Sequence, residues 1–270
     1  MASPKILRLL VTAYIFLLLA VAWIVSWILQ VLFMVVTYPF LSRSQQQDCC
    51  GFIFRFASFW CIDFMNPLWR SHILKPFPKV KGKKVLIMIN HLSAADPFLM
   101  IRVLFPLDAT WIAKNGLFRV PFGGWCMANA DDLRVHFVNK RAGFETVKGT
   151  VGSMMEEARL KLRRGRPIAL FPEGMRSSEP EGGLQPFRLG FFRLAVEEGA
   201  MIVPIAISGT QDCWPLFSPL MDQATAYFSC GDVVDASKFK TAEELRDHVW
   251  QVITDLRDSH PDRRGKVRQQ

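Results

Sequence analysis

From Leu9 to Ser42 the chain carries no charged side chain, and most residues in the run are Leu, Val, Ile, Ala, Phe or Trp. About 20 such residues in a row are enough to cross the hydrocarbon of a bilayer. As one straight helix the run would be roughly 50 Å long against about 30 Å of hydrocarbon, so it must tilt, extend into the interface or bend. Pro39 is expected to end it. A cleaved secretory leader is disfavoured, because leader cores run about 7–15 residues and this one continues past Trp27. Residues 49–69 are again rich in Phe and Trp but include Arg55 and Asp63. They are expected to form a second helix at the interface, with packing on a soluble domain as the alternative. This divides the 270 residues into N-terminal hydrophobic anchoring helices (1–74), a folded domain (75–260) and a basic tail (261–270).

The formal charge is +9. Lys75, Lys79, Lys81, Lys83 and Lys84 follow the apolar region directly, and Arg159, Lys161, Arg163, Arg164 and Arg166 form a second group. The tail adds Arg263, Arg264, Lys266 and Arg268. Juxtamembrane cations attract anionic headgroups and mark the cytosolic side of a membrane protein. We therefore expect an anionic lipid bilayer as a partner and a domain on the cytosolic face. An endoplasmic reticulum and a bacterial inner membrane fit equally well. No nucleic-acid motif accompanies the charge, so nucleic acid is not expected as a partner. The second basic group also suits a solvated helix end, where cations meet the negative pole of the helix dipole. The six cysteines have neither zinc-site nor disulfide spacing, and no metal-ligand motif is present.

Beyond residue 75 short apolar runs alternate with amphipathic stretches. Strands are expected at 85–90, 109–113, 133–138, 168–171, 202–207 and 225–228, and helices at 97–104, 144–163, 190–198 and 242–258. That pattern implies an α/β domain with a mostly buried sheet flanked by helices.

Two segments carry chemistry. Asn90-His91-Leu92-Ser93-Ala94-Ala95-Asp96 follows the first strand, and Asp96-Pro97 reads as a helix start. One tight turn can then bring the Asp96 carboxylate onto the His91 imidazole. A carboxylate on one ring nitrogen fixes the tautomer and leaves the other free as a base. The second segment is Phe171-Pro172-Glu173-Gly174-Met175-Arg176-Ser177. Arg176, at a strand end beside Gly174 and small polar residues, suits a bidentate phosphate contact. Lys114 ends another strand and precedes a glycine-rich apolar loop, 116–125. The set fits a ligand that is both anionic and apolar.

These blocks resemble the lysophospholipid acyltransferase family, in particular its 1-acyl-glycerol-3-phosphate acyltransferases. Asn90, His91, Ser93 and Asp96 match the family's first block. Lys114, Leu117, Pro121, Gly124 and Trp125 match the second. Phe171 to Ser177 match the third, with Met175 for a threonine, and Val203-Pro204-Ile205 match the fourth. Gly116 stands where phosphatidate-forming members carry an acidic residue. The resemblance implies a single glycerolipid-acyltransferase-like domain with a mixed sheet. It further implies acyl-CoA as co-substrate, no bound cofactor, and a lysophospholipid acceptor whose free hydroxyl gives up its proton to His91, held by Asp96. Arg176 with Lys114, and Arg188 as a third cation, would take the phosphate. Glu173 would orient Arg176 or touch the glycerol, and Gly123 and Gly124 would let backbone approach the acyl chain. Other lysophospholipids and glycerol 3-phosphate are alternative acceptors, and an inactive membrane scaffold is the alternative outside catalysis.

Overall fold

A computed structural model describes residues 3–80, 84–137 and 149–263. Helix α1, Lys5–Thr37, takes up the charge-free run and stops just short of Pro39, as expected. It is long and apolar enough to cross a membrane, with a mean hydropathy of 2.5 over its most apolar window. One face is nonetheless committed to protein. Val11, Ile15, Leu18, Leu19, Ala22, Ser26 and Gln30 are buried at helical spacing, and most of the apolar ones join the core beside the sheet. The opposite face, including Leu10, Leu17, Leu32, Val35 and Val36, is exposed. The hydrophobic N-terminus and the α/β domain therefore share one core.

Helix α2, Arg43–Ser58, opens with a capping box between Ser42 and Gln45 and runs into a π-helical turn, Phe59–Phe64. It docks through a buried ion pair, Arg55 to Asp132 at 2.7 Å. Phe52, Phe56, Trp60 and Phe64 point outward. The second apolar segment thus packs one face on the domain, as the alternative reading expected, and leaves one aromatic face open. It ends earlier than expected, because Trp69 already begins strand β1, Trp69–Lys75. All of this strand but Lys75 lies within the stretch assigned to the anchor.

Strands β2 (Val85–Ile89), β3 (Thr110–Lys114), β4 (Leu133–Val135), β5 (Ile168–Leu170), β6 (Met201–Ser208), β7 (Ala224–Cys230) and β8 (Val234–Asp235) complete a mixed sheet. Its order is β1-β7-β6-β2-β5-β3-β4, with β8 beside β6. From β6 through β4 neighbouring strands are parallel, and β7 and β8 run antiparallel to β6. Alternation on β2 splits the core into two layers. Val85, Ile87 and Ile89 face α1 and α3 (Asp96–Leu104), while Leu86 and Met88 face α5 (Thr150–Arg163), α6 (Gly190–Glu198) and α8 (Ala242–Asp258). Two short helices the sequence did not suggest, α4 (Gly123–Asn129) and α7 (Thr210–Cys213), follow strand ends. The expected strand over 133–138 is shorter, and its last residue lies outside the described residues, as do the first five of the helix expected over 144–163.

The second basic group is largely neutralised within the fold. Arg159 and Arg163 share Glu198, Lys161 pairs with Asp131, and Arg166 pairs with Asp48 and Asp108. Lys84 also goes to Glu198. Lys81, Lys83, Arg264, Lys266 and Arg268 lie outside the described residues.

Candidate active site

The carboxyl ends of parallel strands β2, β5 and β3 open on one edge of the sheet, where α/β folds place their ligands. His91 follows β2, the segment from Phe171 to Ser177 follows β5, and Lys114 closes β3. Asn90 anchors the first turn. Its amide donates to the Ile207 carbonyl at 3.0 Å and accepts the Ile207 amide at 2.7 Å, so it imitates one more rung between β2 and β6.

The His91–Asp96 contact forms. His91 Nδ1 lies 2.8 Å from Asp96 Oδ2, and the same oxygen accepts the backbone amides of Leu92 and Ser93 at 2.7 and 3.0 Å. Asp96 is fully buried. It is the first residue of α3 rather than its cap, and Ala95 takes the cap position. Its side chain turns back over the loop it follows. The ring and two backbone amides converge on one carboxylate oxygen, which only accepts, so Nδ1 is the ring nitrogen that donates to it. Nε2 has no hydrogen-bond partner among the described residues. The imidazole also stacks on Phe171, with ring centroids 3.9 Å apart and planes within 11°. Both ring torsions are thereby set, one by a charge and one by a flat apolar surface.

Glu173 differs from expectation. Its carboxylate accepts the amides of His91 at 2.7 Å and Gln185 at 3.1 Å, so it braces the histidine backbone instead of Arg176. Burial raises its pKa to about 7 against the pull of those two amides. Gly174 has φ +75°, and a Cβ there would lie 2.5 Å from Arg188 Nε. Glycine thus allows both the turn and the passage of Arg188 across it. Arg176 is half-buried, and no ion pair occupies its guanidinium among the described residues. Lys114 is exposed, with its ammonium 5.9 Å from the Phe137 ring centroid.

The two loop glycines are explained by packing. A Cβ on Gly124 would lie 2.5 Å from the Leu117 carbonyl, and one on Gly123 would lie 2.6 Å from the Trp23 indole of α1. Gly116 is exposed and has open space around it. Gln185 and Trp214, whose carbonyl accepts Ser93 Oγ at 2.8 Å, were not anticipated from sequence, and Phe171 was anticipated only as part of its block, not as the surface under His91.

A family model described as acyltransferase matches residues 70–208, about half of the chain. The 1-acyl-sn-glycerol-3-phosphate acyltransferase of Saccharomyces cerevisiae is 36% identical over 130 residues, 48% of this chain and 40% of that protein. A protein of the same description from Borreliella burgdorferi is 26% identical over 175 residues, 65% of each. The chain spans less than half of several such relatives, for example 45% of one from Chlamydomonas reinhardtii. Among solved structures, the 1-acyl-sn-glycerophosphate (LPA) acyltransferase of Thermotoga maritima shares the fold. The TM-score is 0.68 over 93% of this chain and 95% of that one, at 22% identity.

Proposed function

Since this chain belongs to the acyltransferase family, we propose that it moves an acyl chain from acyl-CoA to the free hydroxyl of 1-acyl-sn-glycerol 3-phosphate, giving phosphatidate at a membrane surface. One observation carries the reading. Among the described residues His91 is held at Nδ1 by a buried carboxylate and is open at Nε2, on the same sheet edge as the Arg176 guanidinium, which has no ion-pair partner there. The names of the matched relatives supply the acceptor.

His91 Nε2 accepts the hydroxyl proton as the oxygen attacks the thioester carbonyl. The alcohol is far too weak an acid to ionise first against an imidazole of pKa about 6.5, so proton transfer accompanies attack. The new C–O bond forms, the C–S bond breaks, and coenzyme A leaves as a thiolate that recovers the proton from the imidazolium. Asp96 balances the charge on His91 meanwhile. No cofactor is needed. Arg176 takes the acceptor phosphate, with Lys114 and Arg188 at the margins, and Gly174 keeps the intervening turn open. The outward apolar face of α1 and the aromatic face of α2 contact the bilayer, and the domain faces the cytosol.

The test is transfer of labelled acyl groups from acyl-CoA to a panel of lysophosphatidate, lysophosphatidylcholine, lysophosphatidylethanolamine and glycerol 3-phosphate. Lysophosphatidate should be used best. In Arg176→Ala its KM should rise by an amount equivalent to roughly 1.5–3 kcal/mol, the worth of a charge-assisted contact, while the KM of acyl-CoA stays put. Arg176→Lys should recover only part. Loss of acyl-CoA affinity alone would move the phosphate to the other substrate.

A further inference from the structure

The family match ends at residue 208, yet the last turn of α8 and the residues after it return to the site. Beyond it, Arg257, His260 and Arg263 are 3%, 0% and 5% exposed. Burying such groups at a chain terminus is unfavourable unless they are bonded. Here they are. The chain hooks back on itself, with the His260 amide on the Arg257 carbonyl and the Arg263 amide on the His260 carbonyl, both at 3.0 Å.

The hook is fastened to the sheet by a chain of hydroxyls. Ser208 Oγ donates to Asp262 at 2.7 Å, so at 2.7 Å from His260 Nδ1 it must accept. His260 Nε2 lies 2.9 Å from Ser229 Oγ. Burial beside Arg257 and Arg263 pushes the pKa of the ring down to about 4, so at neutral pH it is uncharged and Nε2 accepts from that hydroxyl. Ser208 ends β6, one residue beyond Ile207, which Asn90 brackets. From this fixed base the Arg263 guanidinium reaches the carbonyls of Pro180, Glu181 and Gly182 at 3.2, 3.0 and 3.4 Å, and the Glu181 carboxylate at 3.4 Å. Three successive carbonyls of one loop meet a single side chain. Three residues further on, the Gln185 amide binds Glu173, and its side chain donates to the Arg176 carbonyl at 3.4 Å.

We propose that Arg263, seated by the His260–Ser208–Asp262 chain, is a positioning residue for the transfer reaction. It straps the 180–182 backbone so that Gln185 holds Glu173 beneath His91 and fixes the backbone of Arg176. The inference rests on the functional reading above, and Arg263 itself touches no reacting atom. Around Glu173 the charged and polar groups are the amides of His91 and Gln185, the Asp96 carboxylate and the Arg257 guanidinium. Withdrawing the Gln185 amide removes a donor that favours ionised Glu173, so loosening the strap raises the pH at which that carboxylate protonates.

The test compares the full-length protein with Arg263→Ala and Arg263→Lys in detergent micelles. In Arg263→Ala the KM for lysophosphatidate should rise on the order of tenfold, the worth of one charge-assisted hydrogen bond, with the KM for acyl-CoA unmoved. The acid limb of kcat/KM should shift to higher pH. A glutamate-specific protease should cut after Glu179 and Glu181 faster than in the parent. Arg263→Lys should show the same changes at smaller size, since an ammonium cannot span three carbonyls. It serves in place of Arg263→Ala if that variant does not fold. Unchanged cleavage, or both KM values rising together without a shift of the acid limb, would overturn the proposal. If the parent protein transfers nothing to lysophosphatidate, the functional reading fails, and the cleavage rates still decide whether the strap exists.

Discussion

His91 and His260 are each close to serine and aspartate, and the two surroundings could hardly differ more. Around His91 the aspartate takes one ring nitrogen directly, Phe171 covers one face, and the second nitrogen is left open among the described residues. Around His260 both nitrogens are spent on serine hydroxyls and the ring has no exposed surface. His260 and Asp262 are closer in sequence than His91 and Asp96, yet that carboxylate takes the Ser208 hydroxyl. Composition does not distinguish a base from a structural histidine. An unoccupied nitrogen within reach of substrate does.

The largest effect should come from breaking the first arrangement. His91→Ala should lower transfer by on the order of 10²–10⁴ from the lost proton transfer alone. The melting temperature should move little, because the ring is half-buried and supports few other groups. Asp96→Asn should be comparably severe, since an amide nitrogen cannot accept from Nδ1–H and the wrong tautomer is favoured. Rates measured beside thermal melts check this. A folded His91→Ala protein with full activity would remove the histidine from the chemistry.

The first site was legible because its contacts are local. His91 and Asp96 are five residues apart across one strand-to-helix turn, and nothing distant is needed to join them. Glu173 reaches His91 across 82 positions, and Asn90 reaches Ile207 across 117, so their partners depend on strand order, which periodicity does not give. Strand β1 was missed because it is an edge strand with only Trp69 buried, so no alternation marks it. The docking of α1 did leave a trace. Thr12, Ser26 and Gln30 are polar residues in an apolar run, about four turns and then one turn apart, and all three are buried. Thr12 accepts the Met221 amide, and Gln30 donates to the carbonyls of Cys50 and Cys126. Their common face marks the side turned to protein.

The two sites also respond to pH in opposite directions. His260 has a pKa near 4 in the fold against an ordinary value near 6.5. Between these values only the unfolded chain binds the proton, so stability is lost as pH falls through the window, by about 3 kcal/mol in full. Glu173 has a pKa near 7 against an ordinary value near 4.5. Between these values only the folded chain keeps the proton, so stability is lost as pH rises, by a similar amount of about 3 kcal/mol. The windows overlap from pH 4.5 to 6.5 and the slopes cancel there. Asp108, with its pKa raised by burial to about 7, adds its own slope in that range, so denaturant unfolding is read as the difference between each variant and the parent. His260→Asn should make stability fall with pH, and Glu173→Gln should make it rise. Parallel curves for all three proteins would mean that neither group is held as described.

The serines give the smallest effects and the finest discrimination. Ser208 bridges His260 and Asp262, so Ser208→Ala takes a partner from the buried Nδ1 of His260 and from the half-buried Asp262 carboxylate and should cost about 1–3 kcal/mol of stability. Ser93 has a lesser task. It accepts the Ala95 amide at 3.1 Å and gives its proton to the Trp214 carbonyl, tying the His91 turn to a segment that packs on α1 through Trp214 and Phe16. Ser93→Ala should cost about 1 kcal/mol of stability and lower transfer only a few-fold, through a looser turn. The geometry gives a reason to expect no more. A serine that attacks the thioester needs a base on its own proton, and the Ser93 proton points at a carbonyl instead of at His91 Nε2. The acceptor hydroxyl is then the nucleophile, and no acyl-enzyme should accumulate. Incubation with labelled acyl-CoA in the absence of acceptor, followed by denaturation, measures this directly. Label retained on the parent and lost in Ser93→Ala, with a rate loss as large as that of His91→Ala, would replace one-step transfer with a covalent route.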